Sequence, residues 1–411
     1  VEYLLLAGDK ARRAHLNDSA VGSFERALDR IEVMDEDAGD TWRREKEAAV
    51  REGFGDVRRL TGKQEEALSA YRASSELLTS SAIVDRARLH RKIGKSLQVL
   101  RRADEAFDAY DEAERALGPL EEGSGAAVVT EMVEVALERA LLAYFMAPLE
   151  ALDGLVEEAC RLASTWGSPA QHANALHVRA LTALRRDHYT ADADTVHLAR
   201  RAAAESIAIS PAEVGMAGFI HGFALLWATR LDEAEVELET TLGRAQRVGD
   251  ATLECRCLTY LTLVHRKRGD VEAVEERAAH TLSAARDAAL PEYVAQGEAN
   301  LAWAARRRGD AAEFEARAVR AWRLWQDLLP VPGPYVDLAW IAEWPRFALD
   351  LASGRVSDAE EHLRALVGPD RQPLPPALSS RITTFLAIDA HDAREEGLEE
   401  IAAAAEAHGY L

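Results

Sequence analysis

The chain has 411 residues, of which 48% are apolar and 29% are charged, and its formal net charge is −21. The apolar share argues against extensive disorder, and the acidic balance argues against direct nucleic-acid binding, which needs a basic face. No apolar run reaches the length of about 18 residues that a membrane span needs, and three cysteines make no disulfide framework. We therefore expect a cytoplasmic protein. The start at Val1, inside a helical pattern, suggests a piece of a longer or processed chain.

A pattern of glycine, alanine and a large side chain recurs along the chain with a period of about 40 residues. Each glycine stands twelve residues before the alanine, and the large residue follows four residues after it. Four copies of this pattern, the first three and the sixth, use Gly8, Ala20 and Phe24; Gly55, Ala67 and Tyr71; Gly94, Ala106 and Tyr110; and Gly222, Ala234 and Leu238.

This pattern has a physical reason. Two antiparallel helices approach closely only where the facing side chains are small, and a bulky residue one turn later fills the remaining space. Turns such as KRGDVEAV and RRGDAAEF reverse the chain, and the apolar face of each pair buries against the next pair. The sequence therefore predicts an all-α protein, a solenoid of about ten antiparallel helix pairs, with a helix content above about 70%.

The pattern divides the chain into two stretches. Residues 1–118 hold well-matched repeats, and the glycine-rich sequence GPLEEGSG that follows predicts a possible hinge at 119–126. The array is then expected to continue over 127–411.

Local signals mark some helix boundaries in the second stretch. Ser168–Gln171 and Ser210–Glu213 each place a serine cap before a proline and an amide or acid, which predicts a strong helix start. Proline-rich connectors are expected at Leu329–Tyr335 and Gly368–Pro376.

The first copy resembles the tetratricopeptide repeat (TPR) family, since Gly8, Ala11, Ala20, Phe24 and Ala27 stand in that family's spacing. The period exceeds the family's usual length of about 34 residues and is similar to the C-terminal arrays of bacterial LuxR-type ATPase regulators and multidomain adenylate or guanylate cyclases. The resemblance implies a right-handed superhelix. It further implies a non-catalytic scaffold for protein–protein interaction, the regulatory or sensing region of a larger bacterial signalling or transcription-regulatory protein.

The same resemblance leaves the partner open. It would be a protein or peptide segment, or upstream domains of the same polypeptide, without a cofactor, a membrane or direct nucleic-acid contact. The alternative is a receptor domain for a small-molecule inducer. A LuxR-type regulator would end in a DNA-binding helix-turn-helix, but residues 376–411 read as another helix pair, and any ATPase or cyclase activity would lie outside this chain.

The sequence contains no recognisable catalytic or metal-binding motif, which argues against an enzyme. Gly55–Gln64, GDVRRLTGKQ, is a repeat turn rather than a phosphate-binding loop, because its glycines are too far apart and Gln64 replaces the Ser or Thr that holds magnesium. The acidic run Asp35–Asp40 lacks the spacing of a calcium-binding loop. Cys255 and Cys257 point about 200° apart on a helix, so they are expected to be buried apolar residues rather than ligands of one zinc ion.

A basic ridge is the first candidate binding surface. The family resemblance places Arg88, Arg91 and Lys95 of the third copy, with Lys92 beside them, on the concave side. They would anchor a carboxylate or an acidic partner segment. The competing interpretation is a solvated face whose cations pair with neighbouring acids.

An aromatic stripe is the second candidate surface. In the sixth copy the same positions hold Met216, Phe219, Phe223 and Trp227, and Trp303 and Trp344 occupy equivalent positions later. Such a stripe forms either a groove that binds a ligand or peptide or ordinary core packing, and the choice depends on the curvature of the superhelix.

Overall fold

The structure, a computed structural model, describes residues 1–34, 40–209, 215–328, 339–368, 374–388 and 394–411. Twenty helices account for 84% of these residues, and no strand occurs among them. The predicted all-α class and helix content are confirmed, whereas the handedness and the number of pairs remain predictions. None of the described helices is long and apolar enough to cross a bilayer.

The helices follow one another with short connections. Their bounds are α1 Glu2–Arg13, α2 Asn17–Glu32, α3 Asp40–Leu60, α4 Gln64–Leu77, α5 Ile83–Val99, α6 Ala103–Leu117, α7 Ala126–Met146, α8 Leu149–Trp166, α9 Pro169–Arg186, α10 Ala193–Ile209, α11 Gly215–Trp227, α12 Leu231–Val248, α13 Ala251–Arg268, α14 Val271–Asp287, α15 Pro291–Arg308, α16 Ala311–Leu328, α17 Trp340–Ala352, α18 Val356–Leu366, α19 Pro376–Ala387 and α20 Arg394–Ala407.

The chain divides into two compact units. The first comprises Val1–Ala143, Gly154–Ala175 and Ala245–Thr252, and the second comprises Tyr144–Asp153, Leu176–Arg244 and Leu253–Leu411. In the first unit, each helix from α1 to α6 packs against the next; in the second unit α14 to α18 do the same, and α20 packs against α17, α18 and α19. The segment 119–126 lies within the first unit, and its role as a hinge remains a prediction.

Each glycine of the repeat pattern lies directly against the large residue sixteen positions later. A Cβ atom on Gly55 would lie 2.6 Å from the ring of Tyr71, and one on Gly222 would lie 2.8 Å from Leu238. The same approach occurs for Gly8 against Phe24, at 2.5 Å, and for Gly94 against Tyr110, at 2.9 Å. No other residue fits these positions without displacing the neighbour, so the glycines set how closely paired helices approach.

The alanines of the pattern are also closely packed. Ala20, Ala67, Ala106 and Ala234 are all completely buried. The sequence therefore identified the helix crossings correctly in all four copies.

The predicted turns and helix starts have the expected geometry where the structure describes them. Gly269 and Gly309 have left-handed φ values of +74° and +78°, and the Asp270 side chain accepts a hydrogen bond from Ala273 N at the start of α14. At α9, Ser168 N donates to Gln171 Oε1 and Gln171 N donates to Ser168 Oγ, at 3.0 and 3.3 Å. This reciprocal cap was predicted.

Other predicted boundaries lie wholly or partly outside the described residues. The cap at Ser210–Glu213 and the connector at Leu329–Tyr335 fall there, as do residues 369–373 of the second connector and residues 35–39 of the acidic run. The segment Gly55–Gln64 is the end of α3, a turn with Gly62 at a φ of +83°, and the first residue of α4. It is a repeat turn, as predicted.

Enlarging a crossing alanine should destabilise the protein. We expect Ala67→Leu to lower the free energy of unfolding by about 1–3 kcal/mol, because its extra atoms have no space. Ala403 is exposed on α20, so Ala403→Leu should change the free energy by less than about 0.5 kcal/mol. Urea denaturation of both variants measures the difference, and equal costs would show that the helix crossings are assigned wrongly.

Candidate functional site

The first candidate surface is a set of charged side chains on α3, α5 and α7 in the first unit, which we call the charged ladder. Arg88 donates from Nε and Nη2 to the two carboxylate oxygens of Glu52, at 2.7 and 2.9 Å. Lys92 donates to Glu52 Oε1 and to Asp56 Oδ1, both at 2.7 Å. These two cations of α5 are therefore paired with acids of the preceding repeat.

The remaining cations of the charged ladder face the following repeat. Arg91 donates from Nε to Glu131 Oε1 at 2.5 Å and from Nη2 to Glu131 Oε2 at 3.3 Å. Lys95 donates to Glu138. Helix α5 thus carries two rows of cations, each row paired with carboxylates one repeat away.

Burial and ion pairing shift the pKa values of the acids in the charged ladder in opposite directions. Burial raises the pKa of Glu52, but the hydrogen bonds from Arg88 and the charge of Lys92 outweigh it, and the pKa falls to about 2. The pKa of Glu134 on α7 is instead raised, because burial and the charge of Glu138 outweigh the attraction of Arg91. A partner carboxylate at Arg88, Arg91 or Lys95 would therefore compete with the acids of this chain that already bind these cations.

The second candidate surface contains a cluster of five rings in the second unit, which we call the aromatic cluster: Phe219, Phe223 and Trp227 of α11, Tyr260 of α13 and Tyr189. Phe219 and Phe223 stack at a centroid distance of 5.8 Å, and Tyr260 meets Phe223 edge-on at 4.8 Å. Tyr189 lies 5.9 Å from Phe223 and 5.4 Å from Trp227. Offset and edge-on ring pairs of this kind are each favourable.

The aromatic cluster is almost closed to solvent. Phe219, Phe223 and Trp227 are 5%, 3% and 7% exposed, whereas Met216, one turn before Phe219, is 36% exposed. The rings of α11 therefore form a packed floor, and Met216 stands at its edge.

Tyr189 reaches the aromatic cluster from the turn after α9. Its φ of +57° lies in the left-handed region, which costs a residue with a side chain about 1 kcal/mol or more. A backbone hydrogen bond from Tyr189 N to Leu184 O, at 2.7 Å, holds this turn. The Tyr189 hydroxyl lies 3.0 Å from the hydroxyl of Tyr144, and burial raises the pKa of Tyr144 to about 12.

A cation covers one edge of the aromatic cluster. The guanidinium of Arg256 lies 5.5 Å from the ring of Phe219 and 5.9 Å from that of Phe145. Its Nε donates to the Tyr293 hydroxyl at 3.3 Å, and its Nη1 lies 3.5 Å from Met216 Sδ. We call the partly exposed surface of Met216, Arg256 and Phe145 the cation–aromatic rim.

The two later tryptophans of the predicted stripe lie apart from the aromatic cluster. Trp303 of α15 contacts the guanidinium groups of Arg266 and Arg307, at 5.4 and 5.5 Å. Trp344 of α17 is completely buried and lies 5.8 Å from the ring of Tyr410. The structure thus joins Phe219, Phe223 and Trp227 in one cluster, whereas Trp303 and Trp344 each make other contacts within the second unit.

Several partner residues were missed at the sequence level. Glu52 and Glu131 pair with the basic ridge, and Arg256 and Tyr260 complete the stripe. All of them lie about one repeat period from the residues they contact, so the period itself was the signal that identifies them. Tyr189 carries no such signal, because it lies in a turn.

The candidate metal ligands Cys255, Cys257 and His265 lie on α13 and have buried side chains. Cys255 and Cys257 are both completely buried, and His265 is 6% exposed. Burial lowers the pKa of His265. Within the part of the chain that the structure describes, no group of three or more His, Cys, Asp or Glu side chains is arranged to hold a metal ion.

Comparison with known proteins gives likeness of fold only. No protein-family model and no curated protein sequence matches the chain. Among solved structures, a Rap protein complexed with Competence and Sporulation Factor is 14% identical, with a TM-score of 0.56 over 90% of this chain and 96% of that one. The Rap conjugation gene regulator of the plasmid pLS20, in complex with the Phr* peptide, is 13% identical, with a TM-score of 0.56 over 80% and 96%. The chain is a TPR-like helical array.

The ion pairs of Glu52 should make the first unit sensitive to acid. Because its pKa in the folded protein lies near 2, below the ordinary value, its stabilisation is present above about pH 4.5 and is lost as the pH falls toward 2. We expect the free energy of unfolding to change less between pH 7 and pH 3 in Glu52→Gln than in the parent chain, by on the order of 2–3 kcal/mol. Urea denaturation at pH 7 and pH 3 measures it. Glu45→Gln, at an exposed position of α3, is the control, and an equal pH dependence in both variants would contradict the assignment.

Because Phe223 is buried in the aromatic cluster and Met216 at its edge is partly exposed, substitutions of these two residues should lower the free energy of unfolding by different amounts. Phe223→Ser should lower the free energy of unfolding by about 3–5 kcal/mol, because it opens a cavity and buries a hydroxyl. Met216→Ser at the edge should cost less than about 1.5 kcal/mol. Thermal denaturation followed by circular dichroism compares them. A small cost for Phe223→Ser would mean that its ring faces an open groove.

Proposed function

We propose that the chain is a non-catalytic scaffold that binds an extended segment of a partner protein at the cation–aromatic rim. The observation that carries this proposal is the position of Arg256, which lies over two aromatic rings beside the partly exposed Met216. A cation held against rings suits a segment that presents both a carboxylate and an apolar side chain. Phe219, Phe223 and Trp227 form the floor that keeps this surface rigid.

The acidic character of the whole chain would make binding of such a segment at the cation–aromatic rim selective. The chain as a whole carries a net charge of −21, so an acidic segment is repelled by its overall field, and binding at the rim requires that the carboxylate of the segment exchange with the present partners of Arg256. Of the two Rap structures of similar fold, one is a complex with Competence and Sporulation Factor and the other a complex with the Phr* peptide, and the latter supports a peptide segment as the ligand here.

The charged ladder provides a second contact in this proposal. Arg88, Arg91 and Lys95 would anchor carboxylates of the partner by exchange with Glu52, Glu131 and Glu138. Recognition of an acidic partner by the first unit alone is what we expect of the cytoplasmic regulatory region of a larger bacterial signalling protein. Trp303 and Trp344 are buried and are not part of the rim.

Selection of peptides from a random 12-residue display library tests the proposal. We expect enrichment of peptides that combine acidic and aromatic residues, with dissociation constants of about 10 μM or tighter. Met216→Ser and Arg256→Gln should each weaken a selected peptide about tenfold without lowering the melting temperature by more than a few degrees. Val236→Ser, at a 68% exposed position of α12, should have no effect. Failure to enrich any peptide, or equal binding by all variants, would reject the function.

A further inference from the structure

The final residues of the sequence lie in a site built by α13, α15 and α17 of the second unit. Tyr410 is 5% exposed and Leu411 is 2% exposed. Arg266 donates from Nη2 to the backbone carbonyl of Tyr410 at 2.8 Å. The Tyr410 ring meets Trp340 edge-on at 4.9 Å and lies 5.8 Å from Trp344. One cation and two tryptophans thus hold a short segment that follows the end of α20.

The cation in this site has an unusual environment. Arg266 is 2% exposed, its Nη1 donates to Asn300 Oδ1 at 2.8 Å, and its guanidinium lies 5.4 Å from the ring of Trp303 and 6.0 Å from that of Trp340. Among the described residues, all of these direct partners are neutral, and burial lowers the pKa of Arg266 to about 9. A buried cation with neutral partners is costly, so the hydrogen bond that Arg266 donates to the carbonyl of Tyr410 is an important contact of the bound segment.

More cations surround the approach to the site. Lys267 lies 5.3 Å from the ring of Trp227, and a Cβ atom on Gly409 would touch its Cγ at 3.4 Å. Arg306 and Arg307 pair with Glu406 at 3.4 and 2.7 Å. The segment therefore binds through a carboxylate at one end and an aromatic ring at the other.

The segment leaves polar atoms of the site without hydrogen bonds. Within the described part of the chain, these buried atoms are Gln296 Oε1, Asn300 Nδ2, Trp303 Nε1, Trp344 Nε1 and Arg266 Nε. Gln296, Asn300 and Trp303 lie on one face of α15, since they are spaced by four and three residues. Buried polar atoms are ordinarily hydrogen-bonded, and a bound segment of different sequence could supply partners to Asn300 and Trp303, which lie beside Arg266.

We propose that this site, formed by Arg266, Asn300, Trp303, Trp340 and Trp344, binds a partner segment in which a carboxylate on the last turn of a helix precedes an aromatic and an aliphatic residue, and that Glu406–Leu411, the end of α20 and the turn at Gly409, occupies it as an internal competitor. We call it the tail site. The internal segment shows the chemistry that fits, with Glu406, Tyr410 and Leu411 in the three roles. The proposal rests on the proposed segment-binding function and adds to it a second, self-occupied site with a stated ligand.

A labelled peptide tests the competition in the full chain. The probe is fluorescein-labelled AEAHGYL, the sequence of residues 405–411, measured by fluorescence anisotropy. Tyr410→Ala removes the ring of the internal competitor, so we expect the peptide to bind this variant at least about tenfold more tightly than the parent chain. Adding Arg266→Gln should abolish the gain, and the control peptide AEAHGAL should not bind either protein.

Each result decides for or against the tail site. Equal binding to the parent and to folded Tyr410→Ala, or a gain that survives Arg266→Gln, would overturn the proposal. If Tyr410→Ala does not fold, hydrogen exchange in the parent decides: the amides of Tyr410 and Leu411 should exchange at least about tenfold faster than those of α15, as a locally detaching segment requires. Equal protection would show that the segment is fixed core and would overturn the proposal.

The two functional proposals fail in different experiments. Peptides selected at the cation–aromatic rim depend on Met216 and Arg256 and should still bind Arg266→Gln. If peptide selection at the rim succeeds but the labelled peptide does not bind Tyr410→Ala more tightly than the parent chain, only the tail site is rejected. Failure of the selection would reject the rim function, whatever the labelled peptide does.

Discussion

The packing of four helix pairs among the described residues depends on a glycine that lies against a large side chain sixteen residues later. A Cβ atom at Gly8, Gly55 or Gly94 would lie within 3 Å of the ring it faces, so the two helices of a pair meet at one depth and in one register. A helix interior normally disfavours glycine relative to alanine by about 0.5–1 kcal/mol. The close approach of the helices offsets that cost, because a whole aromatic ring then fills the space between them.

A fixed register within each pair also determines which side chains meet across repeats. In the first unit the equivalent rows of α3, α5 and α7 carry opposite charges and form the charged ladder. In the second unit the rows of α11, α13 and α15 carry rings and cations, as in Arg256 over Phe219 and Arg266 over Trp303. One backbone arrangement therefore supports two kinds of surface, the first neutralised by its own acids and the second apolar with embedded cations.

The sequence predicted the features that follow from local sterics. The glycine and alanine positions, the reciprocal cap at Ser168 and Gln171, and the turn at Gly62 all follow from requirements within one helix pair. The partners of Arg88 and Phe219 lie one repeat away, and identifying them required the period as well as the pattern. The position of Tyr189 depends on a left-handed turn that no local residue preference favours, and the docking of Tyr410 depends on contacts far away along the chain. Neither could be inferred from periodicity.

The dependence on glycine is tested most directly by a double-mutant cycle at Gly94 and Tyr110. Gly94→Ala should destabilise the protein, and its cost should fall by at least about 1 kcal/mol when Tyr110→Leu removes the facing ring. Gly22→Ala provides the control, because nothing lies within 4 Å of a Cβ atom there, and it should stabilise α2 by about 0.5–1 kcal/mol. Equal costs of Gly94→Ala in both backgrounds, or a stabilising effect as at Gly22, would contradict the account.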